Sequence, residues 1–146
     1  MWPCPRLSIK NGTIYFALPG YHLLVEEDRV FSLSVDPKVN YSRPSVDTLF
    51  ESAADVYESE LVGVILTGAN SDGALSLKKI KMKGGHTIVQ DPTTANAPEM
   101  PHAAIDLVKV DQVLPLTDIG QCLAQLNTVE DHHLTADRRR VSDCKI

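Results

Sequence analysis

Leu61–Asp91, LVGVILTGANSDGALSLKKIKMKGGHTIVQD, decides the fold of this chain. Val62–Leu66 is a continuous apolar run, Thr67–Gly73 a polar turn with two glycines, the segment to about Lys83 has helical spacing, and Thr87–Val89 is a second apolar run. Strands without polar alternation are covered on both faces, and parallel pairing needs a crossover helix, so the stretch reads as one βαβ unit. Its turn then lies at the carboxyl end of a buried strand, where open α/β sheets place ligands. Within that turn Asp72 stands at or beside the N-cap of the helix that buries Ala74, Leu77 and Ile80. Two readings of Asp72 compete: a helix cap worth about 1 kcal/mol, or a carboxylate that orients a catalytic histidine as the acid of a Ser-His-Asp triad does.

Outward from this unit the chain alternates strand and helix. Residues 1–10 carry two prolines and no period, an irregular lead-in. Gly12–Ala17 reads as a short strand ending at Pro19-Gly20, and His22–Glu26 with Arg29–Ser34 as a small antiparallel hairpin. Pro44 suits the first turn of a helix. Val46, Leu49, Phe50, Ala53 and Tyr57 then repeat at helical spacing. Gly84-Gly85 stops the second helix. Gln90–Pro98 is a long polar loop at a strand end, as binding mouths often are. Pro101 opens a short helix, Val110–Leu116 offers a strand, and Thr117-Asp118 opens a last helix through Leu126. Beyond it the apolar period stops, so 128–146, with His132-His133 and Arg138–Arg140, reads as a mobile polar tail. The expectation is an α/β domain over 11–127: a mostly parallel sheet flanked by helices, with an antiparallel hairpin near the N-terminus.

Bulk properties exclude several classes. The 146 residues suffice for one core, and 43% hydrophobic with 23% charged residues is globular composition. A net charge of −5 and the lack of a basic stripe with aromatics argue against nucleic acid. Lys78, Lys79, Lys81 and Lys83 fall in a helix's C-terminal half, a solvated face. Cys4, Cys122 and Cys144 have neither disulfide-framework nor zinc spacing, which fits reducing cytoplasm. No apolar run approaches membrane length. His22 begins a strand, where imidazole usually serves as an ordinary hydrogen-bonding group.

Taken together, GTIYFALPGYHL, RPSVDTLFESAA, GVILTGANSDGA, GGHTIVQDPTTA, MPHAAI and VDQVLPL resemble the catalytic domain of the bacterial chemotaxis protein-glutamate methylesterase family (CheB-type) over residues 11–126. The resemblance implies a doubly wound, Rossmann-like three-layer fold. It also implies hydrolysis of γ-glutamyl methyl esters, and deamidation of glutamines, on the cytoplasmic helices of chemoreceptors, by a Ser-His-Asp triad without cofactor. It places Asp72 on the triad aspartate, and Ala69 where a methionine's backbone N–H helps hold the oxyanion. A backbone donor survives a change of side chain. Ala69, Asn70 and Ser71 depart from the usual Thr-Gly-Met-Gly-Asn-Asp-Gly-Ala form, and Glu99 stands where many members have glycine.

The family's serine and histidine precede the matched stretch. No Gly-x-Ser-x-Gly occurs, and Ser71 is too close to Asp72 to admit an imidazole between them. His86 starts a strand at the end away from the site; His22 and His102 do not align with the family histidine. The chain is therefore expected to be a C-terminal portion, catalytically incomplete, because losing the triad Ser or His costs on the order of 10⁶ in turnover. An open sheet edge would invite self-association. The alternative is a non-catalytic module that docks on receptor helices or a partner esterase through Asp91–Pro101, and a third is a small enzyme using His22 or His102 with another serine.

Overall fold

A computed structural model describes residues 6–126. The expected tail at 128–146, with Cys144, His132-His133 and Arg138–Arg140, and Cys4 in the lead-in, lie outside the described residues. The chain begins with an antiparallel sheet of β1 (Leu7–Ser8), β2 (His22–Val25) and β3 (Val30–Ser34), ordered β1-β3-β2. The expected hairpin is β2–β3, pairing His22 with Ser34 and Val25 with Phe31. Its turn closes through Glu26 and Arg29, the latter at φ 57°.

The expected strand at Gly12–Ala17 is not formed, and the pairing falls instead at Leu7–Ser8, inside the expected lead-in. Side-chain alternation persists without a partner strand: Tyr15 and Ala17 are half-buried, while Ile14 and Phe16 are 83% and 86% exposed. Tyr15 anchors the segment. Its hydroxyl donates to the Ser8 carbonyl at 3.1 Å and accepts from the Lys10 N–H at 3.0 Å, and its ring meets Phe31 edge-on.

Helix α1 (Val46–Tyr57) is capped by Ser45, whose hydroxyl accepts from the Thr48 N–H, so Pro44 precedes the cap rather than occupying the first turn. It packs against both β2 and the following helix, and Ser52 ties it to β2 by accepting from the Val25 N–H at 3.0 Å. Val46 and Phe50 of the expected stripe reach the core, joined by fully buried Ala54.

Next come β4 (Val62–Ile65), α2 (Ala74–Met82), β5 (His86–Gln90), α3 (Glu99–Leu107), β6 (Gln112–Leu114) and α4 (Leu116–Leu126). The three strands form a parallel sheet in the order β4-β5-β6. On one face Ile65 and Val89 pack with Ala54, Leu77, Ile80 and Ala104 from α1, α2 and α3; on the other, Ile88 packs with Ile119 and Cys122 of α4. Helices on both faces of a parallel sheet are the three-layer, Rossmann-like arrangement. Gly63 permits it, since a Cβ there would lie 2.6 Å from Ile80 Cδ1. Helix α3 starts two residues before Pro101, which sits in its first turn, where a missing N–H costs little. Lys79, Lys81 and Lys83 pair with Asp55, Asp111 and Glu58, so the lysine face is engaged by acids. No helix among the described residues is long and apolar enough to cross a membrane.

Candidate active site

The turn between β4 and α2 lies at the carboxyl end of the parallel sheet, as the sequence requires. Asp72 is 3% exposed. It does not cap its own helix: Gly73, at φ 91°, is the N-cap of α2 and offers no side chain. The Asp72 carboxylate reaches across to the start of α1. There Oδ1 accepts from the Ser45 hydroxyl at 2.7 Å and the Asp47 N–H at 3.0 Å, and Oδ2 accepts from the Val46 N–H at 2.6 Å. The first-turn amides of a helix have no partner within it, and the positive end of its dipole favours an anion. The Asp72 N–H is held by Asn70 Oδ1 at 2.9 Å, an Asx turn that fixes the bend.

Asp47 answers in the opposite direction. Its Oδ1 accepts from the Ser76 N–H at 3.0 Å and the Ser76 hydroxyl at 2.6 Å, capping α2, while Oδ2 accepts from the Asn40 side chain at 2.9 Å. Each helix start is thus capped by an acid from outside its own cap position. Sequence reasoning missed Ser45, Asp47 and Ser76 as parts of this arrangement. Ser45 was legible as a cap, but nothing local in Arg-Pro-Ser-Val-Asp points to a residue on another helix.

The other arm of the turn is pinned to the loop after β5. Buried Gln90 accepts from the Thr67 N–H at 3.0 Å and donates to Thr94. The Gly68 N–H donates to the Ala97 carbonyl, and the Met100 N–H to the Gly68 carbonyl. Met100 lies so close over Gly68 that a Cβ there would come within 2.5 Å of it. With both sides held, Ala69 projects exposed at the rim, and its N–H donates to no acceptor among the described residues. The turn thus carries an oriented carboxylate and, three residues before it, an exposed backbone N–H.

None of the three described histidines donates to Asp72. His22, 1% exposed on β2, donates through Nε2 to the Pro37 carbonyl at 3.0 Å. His86 stands at the amino end of β5, its Nε2 3.2 Å from Gln112 Oε1 and its Nδ1 3.6 Å from Asp111. His102 is exposed on α3. Ser71 is exposed in the turn itself, one residue from Asp72.

Comparison with known proteins shows the family and the fold. The family model for CheB methylesterase matches residues 5–123. A Leptospira interrogans relative of the protein-glutamate methylesterase/protein-glutamine glutaminase class is 56% identical over 120 residues, covering 82% of this chain and 62% of the relative. The protein-glutamate methylesterase FrzG of Myxococcus xanthus is 41% identical over 114 residues, 78% of this chain and 34% of its own. The crystal structure of the Thermotoga maritima CheB methylesterase catalytic domain superposes with a TM-score of 0.77 at 34% identity, over 84% of this chain and 66% of that one. The chain thus spans about three fifths of the length of its Leptospira relative.

Proposed function

The chain belongs to the CheB methylesterase family, and from that premise we propose that it serves the hydrolysis of γ-glutamyl methyl esters on chemoreceptor cytoplasmic helices, in the cytoplasm. Asp72 is the acid of a Ser-His-Asp triad and the Ala69 N–H an oxyanion donor. Serine attacks the ester carbonyl while histidine takes its proton, and methanol leaves with a proton returned by the same imidazole. Water then releases the glutamate, and deamidation of glutamine follows the same course with ammonia leaving. Asp72 holds the imidazole in the right tautomer and offsets its charge, and the Ala69 N–H meets the oxyanion of each tetrahedral intermediate.

The observation that carries this reading is Asp72 itself. A carboxylate buried at a strand mouth, fixed by three neutral donors, retains acceptor capacity for an imidazole N–H. On this reading the chain supplies the triad acid but neither the serine nucleophile nor the triad histidine, so by itself it is expected to release no methanol. The test is methanol release from methylated receptor fragments by the chain fused to the part of its Leptospira relative that it does not span. Turnover that disappears with Asp72→Ala supports the assignment; equal turnover by both proteins overturns it. Receptor capture by the isolated chain without turnover in the fusion would favour a docking module acting through Asp91–Pro101. Strand β4 has β5 as its only strand neighbour among the described residues, and self-association over its open edge belongs to the same reading. A concentration-independent monomer in sedimentation removes that part.

A further inference from the structure

We infer that Ser45 and Asp47 are positioning residues for this reaction, a clamp across two helix starts that leaves one acceptor position of Asp72, on Oδ2, to face the catalytic imidazole. The inference rests on the triad reading above. A carboxylate offers about four acceptor positions, two on each oxygen. On Oδ1 both are taken, by the Ser45 hydroxyl and the Asp47 N–H. On Oδ2 one is taken, by the Val46 N–H. An entering N–H therefore has a single place to bind.

The clamp is what keeps that place in one direction. Nothing on α2 holds the carboxylate, because Gly73 is its cap and has no side chain. Partial rotation about the last bond of Asp72 would tilt both oxygens out of their plane and turn the open position on Oδ2 aside. Ser45 opposes this with a hydroxyl whose own rotation is fixed, since it donates to Asp72 while accepting from the Thr48 N–H. Ser45 is 2% exposed, so water does not compete for the bond. Asp47 supplies the second restraint by tying the start of α1 to α2 through Ser76. Separation of the helices would carry the Val46 and Asp47 amides away from the carboxylate. The approach is already close: a Cβ on Gly73 would lie 2.7 Å from both Val46 and Ile65. A triad acid displaced by about an ångström costs up to about 100-fold in rate, because it acts only through the orientation of its histidine.

The test compares Ser45→Ala, Ser45→Thr and Ser76→Ala in the same fusion, reading kcat and KM for methanol release, with folding checked by circular dichroism. Ser45→Ala is expected to lower kcat by about 10- to 100-fold with KM unchanged, as loss of alignment predicts. Ser45→Thr, which keeps the hydroxyl, restores it, and Ser76→Ala falls between. An effect of Ser45→Ala carried by KM, no effect on kcat, or failure of folded Ser45→Thr to restore the rate overturns the proposal. If the unsubstituted fusion releases no methanol, the triad reading has failed. Amide exchange in the 146-residue chain then decides the clamp. Asp72→Ala is expected to speed exchange about 10-fold or more at Val46 and Asp47 alone, and unchanged exchange there removes it.

Discussion

Two aspartates stand at opposite ends of the parallel sheet, Asp72 buried and Asp111 with its side chain 24% exposed, and they are held in opposite ways. Asp111, just before β6, accepts from the Thr87 N–H and hydroxyl, both at 2.9 Å, while its Oδ1 pairs with the Lys81 ammonium and His86 stands 3.6 Å from Oδ2. Asp72, past the end of β4, has only neutral hydrogen-bond partners among the described residues. Asp111 is a staple whose charge is neutralised and whose neighbouring histidine is occupied by Gln112. An Asp-His pair seen in isolation suggests half a triad, yet this one lies at the end of the sheet away from the turn. Asp72 has the converse character, with its geometry fixed and no cation spent on its charge. The contrast teaches that two aspartates with similar numbers of partners differ in what those partners leave open.

The sharpest way to break this contrast is turnover in the fusion. Asp72→Asn is expected to reduce kcat on the order of 10⁴-fold, as in serine proteases when an amide in place of the triad acid selects the wrong histidine tautomer. Asp111→Asn should leave the rate unchanged; comparable losses at both sites would erase the distinction.

Stability gives the next largest difference. In Asp72→Asn either orientation of the amide sets its NH₂ against a donor, the Val46 N–H on one side or the Asp47 N–H on the other. A loss of about 1–3 kcal/mol in urea unfolding is expected, the penalty of buried donors left unpaired. A neutral outcome would mean that the cap is dispensable.

Acid sharpens the comparison from the Asp111 side. Burial raises the pKa of Asp111, but the Lys81 hydrogen bond, the Thr87 N–H and hydroxyl and the charge of His86 together hold it below its ordinary 3.8. A carboxyl depressed in the folded state adds stability that is complete above 3.8 and is lost as pH falls through its lower folded value. Asp111→Asn should therefore flatten the loss of stability across that acid window, measured as the difference between the two urea midpoints. A pH dependence identical to that of the unsubstituted chain would count against the staple.

The smallest effect is expected between the two ends, at the exposed Lys79–Asp55 pair of 2.6 Å. Lys79→Ala should cost no more than about 1 kcal/mol and less in high salt. A larger loss would mean that ion pairing rather than capping holds α1 to α2.

Much of the architecture was legible because it is local. The apolar runs of β4 and β5, the Gly84 stop at φ 85° and the β2–β3 hairpin each follow from the period and turn chemistry of a few neighbouring residues. Ile14–Ala17 shows the limit. Its alternation persists in the structure, yet a strand also requires a partner, and pairing is a property of distant residues. Pro44 and Pro101 were each displaced by one or two positions relative to their helices, within the tolerance of caps and first turns.

By itself the sequence determined the α/β order of elements, placed Asp72 and Ala69 in a turn at a strand end, and carried the motifs by which the family is recognised. Only the tertiary structure decided which helix Asp72 caps. Local spacing assigned it to the helix that follows, but the left-handed Gly73 takes that position, and the carboxylate binds Ser45, 27 residues earlier in the chain. The physical reason is that a cap is chosen by whichever free amides packing brings within reach of the acid. The approach of α1 to α2 is set by the core beneath them rather than by any residue of the turn.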